Sequence, residues 1–264
     1  MKILYIGDIM GRPGRITVKK LLPDLISEHG IDFVIAQGEN LSNGKGLQIK
    51  AVEDLLAHGV DFFTGGDWTL HREEIYPWLE DPGRPVIRPA NYPAGTPGRG
   101  WKLADTPFGK VLVVSLLGQT VGYRAPQVDN PLTTIDRIID ETKSQKIVAS
   151  IVNFHGDFSS EKKVIGQYLD GRVSAVIGDH WHVPTADARI LPGGTAHITD
   201  VGMAGSHDSS LGIRTDVIVE RWKNGTASRN VLEENGIMQF CSVLIDTDKS
   251  SFKAKKIEQI IKFV

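Results

Sequence analysis

Hydrophobic residues form short runs that end at polar turns. Strands are predicted at residues 3–6, 33–36, 62–63, 111–116, 147–152, 173–177, 217–219 and 241–245. Apolar residues at helical spacing predict helices at residues 17–26, 48–58, 134–142 and 161–169. Alternating strands and helices indicate a layered α/β fold, in which ligands bind at the carboxyl ends of strands.

Two segments interrupt this pattern. Residues 81–100 are rich in proline and glycine, but they contain the apolar Ile87 and lead into Trp101, so we expect an ordered loop rather than a linker. Residues 222–234 are polar, and we expect them to form a surface excursion.

Composition narrows the class of protein. A chain of 264 residues with 41% hydrophobic residues predicts one domain over residues 1–264. The net charge of -2 gives no broad basic surface for duplex nucleic acid or an anionic membrane, although a local anion site is compatible with it. A single cysteine, Cys241, in an apolar run predicts a buried strand thiol. With no signal peptide or membrane span in the sequence, we expect a cytoplasmic protein without a membrane partner.

Ligand-type residues follow five of the predicted strands. They are Asp8, Glu39, Asn40, Asp67, His155, His180 and His182. Taken singly, several have simpler explanations: Gly7-Asp8 is a common turn, Asn40 could cap a helix, and two histidines can form an ordinary hydrogen-bonded pair. In an extended segment His180 and His182 would point the same way and could meet one ion. Five strand ends with ligand chemistry make coincidence a poor explanation.

The donor set indicates the kind of metal. Three carboxylates, one amide oxygen and three imidazoles suit two divalent ions of the Fe, Mn or Zn type better than Mg or Ca, which prefer oxygen ligands. Two such ions lower the pKa of a water between them and stabilise the charge that develops in phosphoryl transfer.

The order of these motifs resembles the calcineurin-like metallophosphoesterases, and in particular their YmdB-type branch. The motifs are Gly7-Asp8, Gly38-Glu39-Asn40, Gly66-Asp67, Asn153-Phe154-His155 and Gly178-Asp179-His180-Trp181-His182. Further matching blocks extend the resemblance over nearly the whole chain: residues 88–91, 93–98, 185–187, 190–192 and 198–203.

The resemblance implies a four-layer β-sandwich flanked by helices, a dinuclear metal centre and phosphodiesterase activity on cyclic nucleotides, including 2′,3′-cyclic ones. It also implies regulatory roles in bacteria and a homo-oligomer. By position, one ion would bind Asp8, Glu39, Asn40 and His182. The other would bind Glu39, Asp67, His155 and His180, with Glu39 bridging.

One motif departs from the family, which usually has Gly-Asn-His where this chain has Gly66-Asp67-Trp68. Asp67 keeps an oxygen ligand and adds a negative charge. Trp68 cannot exchange a proton, whereas general acid catalysis contributes about 10² to 10⁴-fold. His71 could supply the missing imidazole if a helix begins near Trp68, although it could also be an ordinary exposed histidine. His207 and Asp208 lie in a loop whose family counterpart approaches the site.

Other residues have candidate binding roles. Trp68 could stack on a nucleobase or anchor a loop in the core. Arg88, Asn91 and Lys45 are candidates for phosphate binding or loop positioning.

The function predicted from these residues is hydrolysis of a small phosphodiester or nucleotide, with an RNA-derived ligand as a further possibility. The alternative is a regulatory protein that binds metals and a nucleotide with little or no turnover. A purely structural role for the matched residues would require that no metal binds.

Overall fold

The apolar runs form two β-sheets with helices on their outer faces. The computed structural model describes residues 1–121 and 127–264. Within them the strands are β1 (Lys2–Ile6), β2 (Asp8–Ile9), β3 (Phe33–Gln37), β4 (Phe62–Thr64), β5 (Trp101–Thr106), β6 (Gly109–Leu117), β7 (Ile147–His155), β8 (Ala175–Asp179), β9 (Arg189–Ile190), β10 (Ala196–Ile198), β11 (Met203–Ser206), β12 (Met238–Thr247) and β13 (Ala254–Phe263). The helices are α1 (Gly11–His29), α2 (Ile49–Leu56), α3 (Tyr76–Glu80), α4 (Pro131–Thr142), α5 (Ser159–Tyr168) and α6 (Thr215–Asn224).

Each sheet contains a run of neighbouring parallel strands. The first sheet has the order β2-β11-β12-β1-β3-β4, with β13 also paired to β12, and β1, β3 and β4 are parallel. The second has the order β5-β6-β7-β8-β10-β9, and β6, β7, β8 and β10 are parallel. Parallel neighbours end at the same edge of their sheet, so the turns after them are brought together.

The two sheets pack face to face. Alternate residues of a strand point to opposite faces, so Ile3 and Tyr5 of β1 share a core with Ile151 of β7 and Ile177 of β8. Their neighbour Leu4 instead packs with Val18 and Leu22 of α1 in a second core. On the other side, α4 and α5 cover the second sheet in a third core. The predicted four-layer sandwich flanked by helices is confirmed.

The helix ends follow from local sequence. The first helix stops at Gly30, whose φ of 60° places it in the left-handed region that favours glycine. Asn130 caps α4 by accepting a hydrogen bond from the Leu132 N–H, and Pro131 occupies the first helical position.

One predicted strand is wrong. Residues 217–219 lie inside α6, although three consecutive β-branched residues favour a strand. The helix has Asp216 in its first turn, basic residues in its last turn and Gly225 in the left-handed region after it. No residue of α6 is buried, so these β-branched side chains gain no stabilisation from packing in a sheet.

Other predictions for single segments are confirmed. Cys241 is buried in β12. Residues 81–100 form an ordered loop held by the buried Arg88, whose guanidinium donates to the carbonyl oxygens of Pro89, Thr96 and Pro97. Among the residues that the structure describes, no helix has both the length and the apolar content to cross a membrane.

Gly178 in β8 tests how tightly the strand ends are packed. A Cβ at this position would lie 1.9 Å from the Thr199 carbonyl oxygen. We expect Gly178→Ala to lower the free energy of unfolding by about 1–3 kcal/mol, since a well-packed core must shift to accept an added atom. Thermal unfolding of Gly178→Ala beside Gly83→Ala measures this difference. Gly83 lies in an exposed turn, where the nearest atom to the added Cβ would be 3.3 Å away. Equal melting temperatures for the two variants would contradict this packing.

Candidate metal centre

The seven candidate ligands lie at or just after the carboxyl ends of strands from both sheets. Asp8 follows β1 after Gly7 and begins the short strand β2, Glu39 and Asn40 follow β3, and Asp67 follows β4. From the second sheet, His155 is the last residue of β7, and His180 and His182 follow β8. The structure brings all seven into two adjoining groups.

The first group consists of Glu39, Asp67, His155 and His180. Their nearest ligand atoms all lie within 4.8 Å of one another. His155 Nε2 lies 3.1 Å from Asp67 Oδ1 and 3.3 Å from Glu39 Oε1, while His180 Nδ1 lies 4.0 Å from Asp67 Oδ1. Oxygen and imidazole nitrogen atoms at this spacing can converge on one cation.

The second group consists of Asp8, Asn40 and His182. His182 Nε2 lies 3.8 Å from Asp8 Oδ1. Asn40 Nδ2 donates to Asp8 Oδ1 and to Glu39 Oε1, both at 3.1 Å, so Glu39 links the two groups. Asn40 is not the N-cap of the helix that follows it, because Gln48 holds that position before α2. To serve as a ligand, its amide must turn so that the oxygen replaces the nitrogen.

The histidine segment after β8 is not extended, which corrects the sequence-based geometry. His180 has a φ of 100° and His182 a φ of 62°, backbone values that residues other than glycine seldom adopt. As a result the two rings diverge, His180 towards Asp67 and His182 towards Asp8. The two imidazoles therefore serve different groups, as the family resemblance implies.

Burial decides the direction of the pKa shift of Asp8 and Glu39. Burial raises the pKa of Asp8 well above its usual value, and the charges of Asp179 and Glu39 raise it further. Burial also raises the pKa of Glu39, although His155 opposes this effect. Burial lowers the pKa of His155, but the charges of Glu39 and Asp179 outweigh it, and the net pKa is raised. The negative charges of these carboxylates therefore stabilise a positive charge at His155.

The other two imidazoles have the opposite tendency. Burial and the charge of His155 lower the pKa of His180 to about 4. Burial and the charge of His180 lower the pKa of His182 to about 4. Both are therefore neutral at pH 7, the protonation state in which an imidazole nitrogen binds a metal.

Asp179 is a functional residue that was not among the predicted ligands, although it lies in the motif Gly178-Asp179-His180. Its Oδ1 accepts a 2.7 Å hydrogen bond from His155 Nδ1. Its Oδ2 accepts from Gln37 Nε2, Asn153 Nδ2 and the Tyr5 hydroxyl at 2.9, 2.5 and 3.1 Å. A carboxylate on one ring nitrogen orients the other towards a ligand position, as in many metal-binding histidines. A charged residue at the buried end of a strand was the available signal.

Lys162 is a second residue that the sequence did not reveal. It lies on α5 with its side chain fully buried. Its Nζ donates to the Asp179 carbonyl oxygen at 2.6 Å and to Asp200 Oδ2 at 2.7 Å, and lies 3.9 Å from the centre of the Trp181 ring. Asp200 also accepts from the Trp181 N–H at 2.9 Å. Together these contacts hold the unusual backbone of the histidine segment.

Trp68 and His71 lie beside the first group. The half-buried Trp68 donates its backbone N–H to Glu39 Oε2 at 3.1 Å. Its ring meets Lys45 Nζ at 4.2 Å and the edge of His71 at 5.3 Å between ring centres. His71 ends a 3₁₀ turn over Thr69–His71, and partial burial, Lys45 and Arg72 lower its pKa. The side chain of His71 is exposed, which agrees with either role considered for it.

The remaining candidates are placed elsewhere. His207 contacts Gln239 through Nδ1 at 2.9 Å and the Phe263 ring at 4.9 Å, where β12 and β13 pair. Its neighbour Asp208 is exposed. Asn91 is buried and pairs with the backbone of Leu117, so it positions a loop, as Arg88 does.

Lys162 and its neighbour offer a matched test of the buried ion pair. Lys162→Met leaves Asp200 buried without its partner, and we expect a loss of about 3–5 kcal/mol in the free energy of unfolding. The half-exposed Lys163 pairs with Asp187, and Lys163→Met should cost about 1 kcal/mol or less. Chemical denaturation of both variants measures the two losses. A larger loss in Lys163→Met would refute the role given to Lys162.

Known proteins similar to this chain belong to the family that its sequence motifs resemble. A family model described as YmdB-like protein matches residues 4–260. A 2′,3′-cyclic-nucleotide 2′-phosphodiesterase from Bacillus subtilis is 41% identical over 261 residues, which cover 99% of this chain and 97% of that protein.

Solved structures with the same fold include members of similar sequence. A hypothetical protein from Thermus thermophilus superposes with a TM-score of 0.91 at 35% identity, covering 100% of this chain and 99% of the other. A novel phosphatase of Mycoplasma pneumoniae gives a TM-score of 0.91 at 29% identity, covering 100% and 93%. A 5′-nucleotidase precursor, also from Thermus thermophilus, is 11% identical with a TM-score of 0.56 and 54% of its length covered, and it shares the fold. The chain therefore belongs to the YmdB-like family.

Proposed function

We propose that this chain is a metal-dependent phosphodiesterase that hydrolyses small phosphodiesters such as 2′,3′-cyclic nucleotides at a dinuclear centre. The observation that carries the proposal is the pair of adjoining ligand groups, linked through Glu39, at the carboxyl ends of strands from both sheets. The activity named for the Bacillus subtilis relative supports the substrate class.

The residues present fit two divalent ions. Glu39, Asp67, His155 and His180 would hold one ion, and Asp8, Glu39, Asn40 and His182 the other. The mixed oxygen and nitrogen donors favour Fe, Mn or Zn. When bound, the ions supply a nucleophile at neutral pH and neutralise the charge that develops on the phosphate.

The surrounding side chains prepare the site. Asp179 fixes the ring of His155, and Asp157 Oδ1 lies 2.9 Å from His180 Nε2, so each ring presents its other nitrogen to the site. The Tyr92 hydroxyl lies 3.4 Å from the Gly66 carbonyl oxygen and steadies the turn that carries Asp67. These contacts hold the site in its observed geometry, which spares reorganisation during the reaction.

Trp68 changes how the leaving group is handled. Its indole offers a flat surface for a nucleobase and no exchangeable acid. His71, at the edge of the Trp68 ring, is a nearby imidazole that can exchange a proton. We assign His71 the proton transfer to the leaving oxygen and Trp68 the contact with the base.

The wider setting is also part of the proposal. We infer a single domain that works in the cytoplasm as a homo-oligomer. Its one cysteine is buried, which agrees with a reducing compartment.

Loss of a candidate ligand tests the activity. The Mn-loaded protein should hydrolyse 2′,3′-cyclic AMP and bind about two ions per chain, and Asp8→Ala should lose about a hundredfold or more in kcat. Elemental analysis and phosphate-ester assays measure both quantities. The exposed Asp105 on β5 provides the control variant Asp105→Ala. Activity that persists in Asp8→Ala would refute the site, and micromolar nucleotide binding without turnover would favour a regulatory protein.

Two substrates test the proton donor. Bis-p-nitrophenyl phosphate releases p-nitrophenolate, which departs without protonation. The ribose 2′-oxygen of 2′,3′-cyclic AMP needs a proton to leave. We expect His71→Ala to lower kcat for the cyclic nucleotide by about 10²-fold with a much smaller effect on the nitrophenyl ester. Trp68→His should raise kcat for the cyclic nucleotide. Equal losses on both substrates in His71→Ala would exclude its role as an acid.

A further inference from the structure

A basic cleft adjoins the candidate metal centre, since His71 lines both the cleft and the cavity that contains Asp67. It has a volume of about 1040 Å³ and is lined by five basic side chains: Lys45, Arg72, Arg214, Arg221 and Arg229. Two carboxylates, Glu233 and Glu234, line it as well. The cleft therefore has a net positive charge, although the whole chain has a net charge of -2.

Most of these cations are available to an anionic ligand. Among residues 1–121 and 127–264, only Arg214 of the five pairs with a carboxylate, that of Asp216. Arg221 is oriented by neutral groups, the Ser228 carbonyl oxygen at 2.9 Å and Asn230 Oδ1 at 2.8 Å. Arg72 is oriented by the Lys45 carbonyl oxygen at 3.1 Å. Guanidinium groups held in this way are suited to phosphate oxygens.

The cleft continues from the site of the reaction. A smaller cavity of about 420 Å³ contains Asp67, Trp68 and Tyr92, and His71 lines both this cavity and the cleft. Lys45, which also lines the cleft, reaches over the Trp68 ring. Small-molecule sites have volumes of about 300–1,000 Å³, so the smaller cavity suits one nucleotide. The cleft offers room for further phosphates beyond it.

We propose that the cleft binds the phosphate backbone of a short single-stranded RNA whose 3′-terminal 2′,3′-cyclic phosphate lies at the metal centre. A basic groove beside an aromatic ring is the usual arrangement for single-stranded nucleic acid. The cyclic phosphate requires a ribose 2′-oxygen, which selects RNA over DNA. This inference rests on the proposed phosphodiesterase function for its chemical step.

The reaction at the end of the RNA is a hydrolysis. The oxygen of water forms a bond to phosphorus while the bond from phosphorus to the 2′-oxygen breaks. A proton moves to the 2′-oxygen, and the product is an RNA with a 2′-hydroxyl and a 3′-phosphate. The remaining phosphodiester bonds stay intact and serve only for binding.

The first experiment compares two substrates of the metal-loaded protein, a hexaribonucleotide ending in a 2′,3′-cyclic phosphate and 2′,3′-cyclic AMP. We expect kcat/KM to be at least about tenfold higher for the hexaribonucleotide, since one charge-assisted hydrogen bond contributes about this much. The advantage should shrink as salt is raised, by ~0.7 in logarithmic slope for each phosphate neutralised.

The variant Arg221→Gln/Arg229→Gln removes two charges from the cleft. It should raise KM for the hexaribonucleotide about tenfold more than KM for the cyclic mononucleotide and flatten the salt slope by about 1.4, which is ~0.7 for each of the two charges. Arg137→Gln/Lys143→Gln removes two exposed charges at α4 and should change neither quantity. Equal kcat/KM for the two substrates, with no effect of the cleft variant, would overturn the inference and leave the proposed function standing.

Binding separates the two proposals. Fluorescence anisotropy with a labelled hexaribonucleotide ending in a 3′-phosphate should show salt-dependent binding that the cleft variant weakens. This result without turnover of either substrate would support the cleft and refute the phosphodiesterase. Equally tight binding of inorganic polyphosphate would refute the assignment to RNA.

Discussion

The hydrogen bond between Asp179 and His155 is the interaction on which the site depends. Both side chains are fully buried where the two sheets meet, and Asp179 also receives Tyr5 and Gln37 from the first sheet. Isolated charges in such a place would be costly, and each carboxylate here is balanced by a donor or a histidine. The same contact turns His155 Nε2 towards Glu39 and Asp67. The arrangement of the ligand groups thus follows from the pairing of buried carboxylates with His155.

Much of the fold and of the ligand set could be predicted from the sequence. Apolar runs closed by polar turns are local signals, and parallel strands bring such turns to one edge, so Asp8, Glu39 and His155 could be selected without coordinates. The family resemblance then assigned the seven residues to two groups that share Glu39.

Other features could not be predicted, because they arise from tertiary contacts. The left-handed backbone of His180 and His182 is held by Lys162 from α5, through a contact between side chain and backbone. The apolar residues 217–219 form a strand only where a sheet accepts them, and α6 remains on the surface. The basic cleft combines residues near position 45 with residues near position 229, a proximity that no local pattern contains.

The division of the ligand groups between two sheets has a further consequence. Glu39 and Asp67 belong to the first sheet, and His155 and His180 to the second. A cation held among them would cross-link the two sheets at the carboxyl ends of their strands, and its binding free energy would add to that of folding. The resistance of this protein to unfolding would then vary with the concentration of free metal around it, so that metal supply sets the lifetime of the chain as well as its activity.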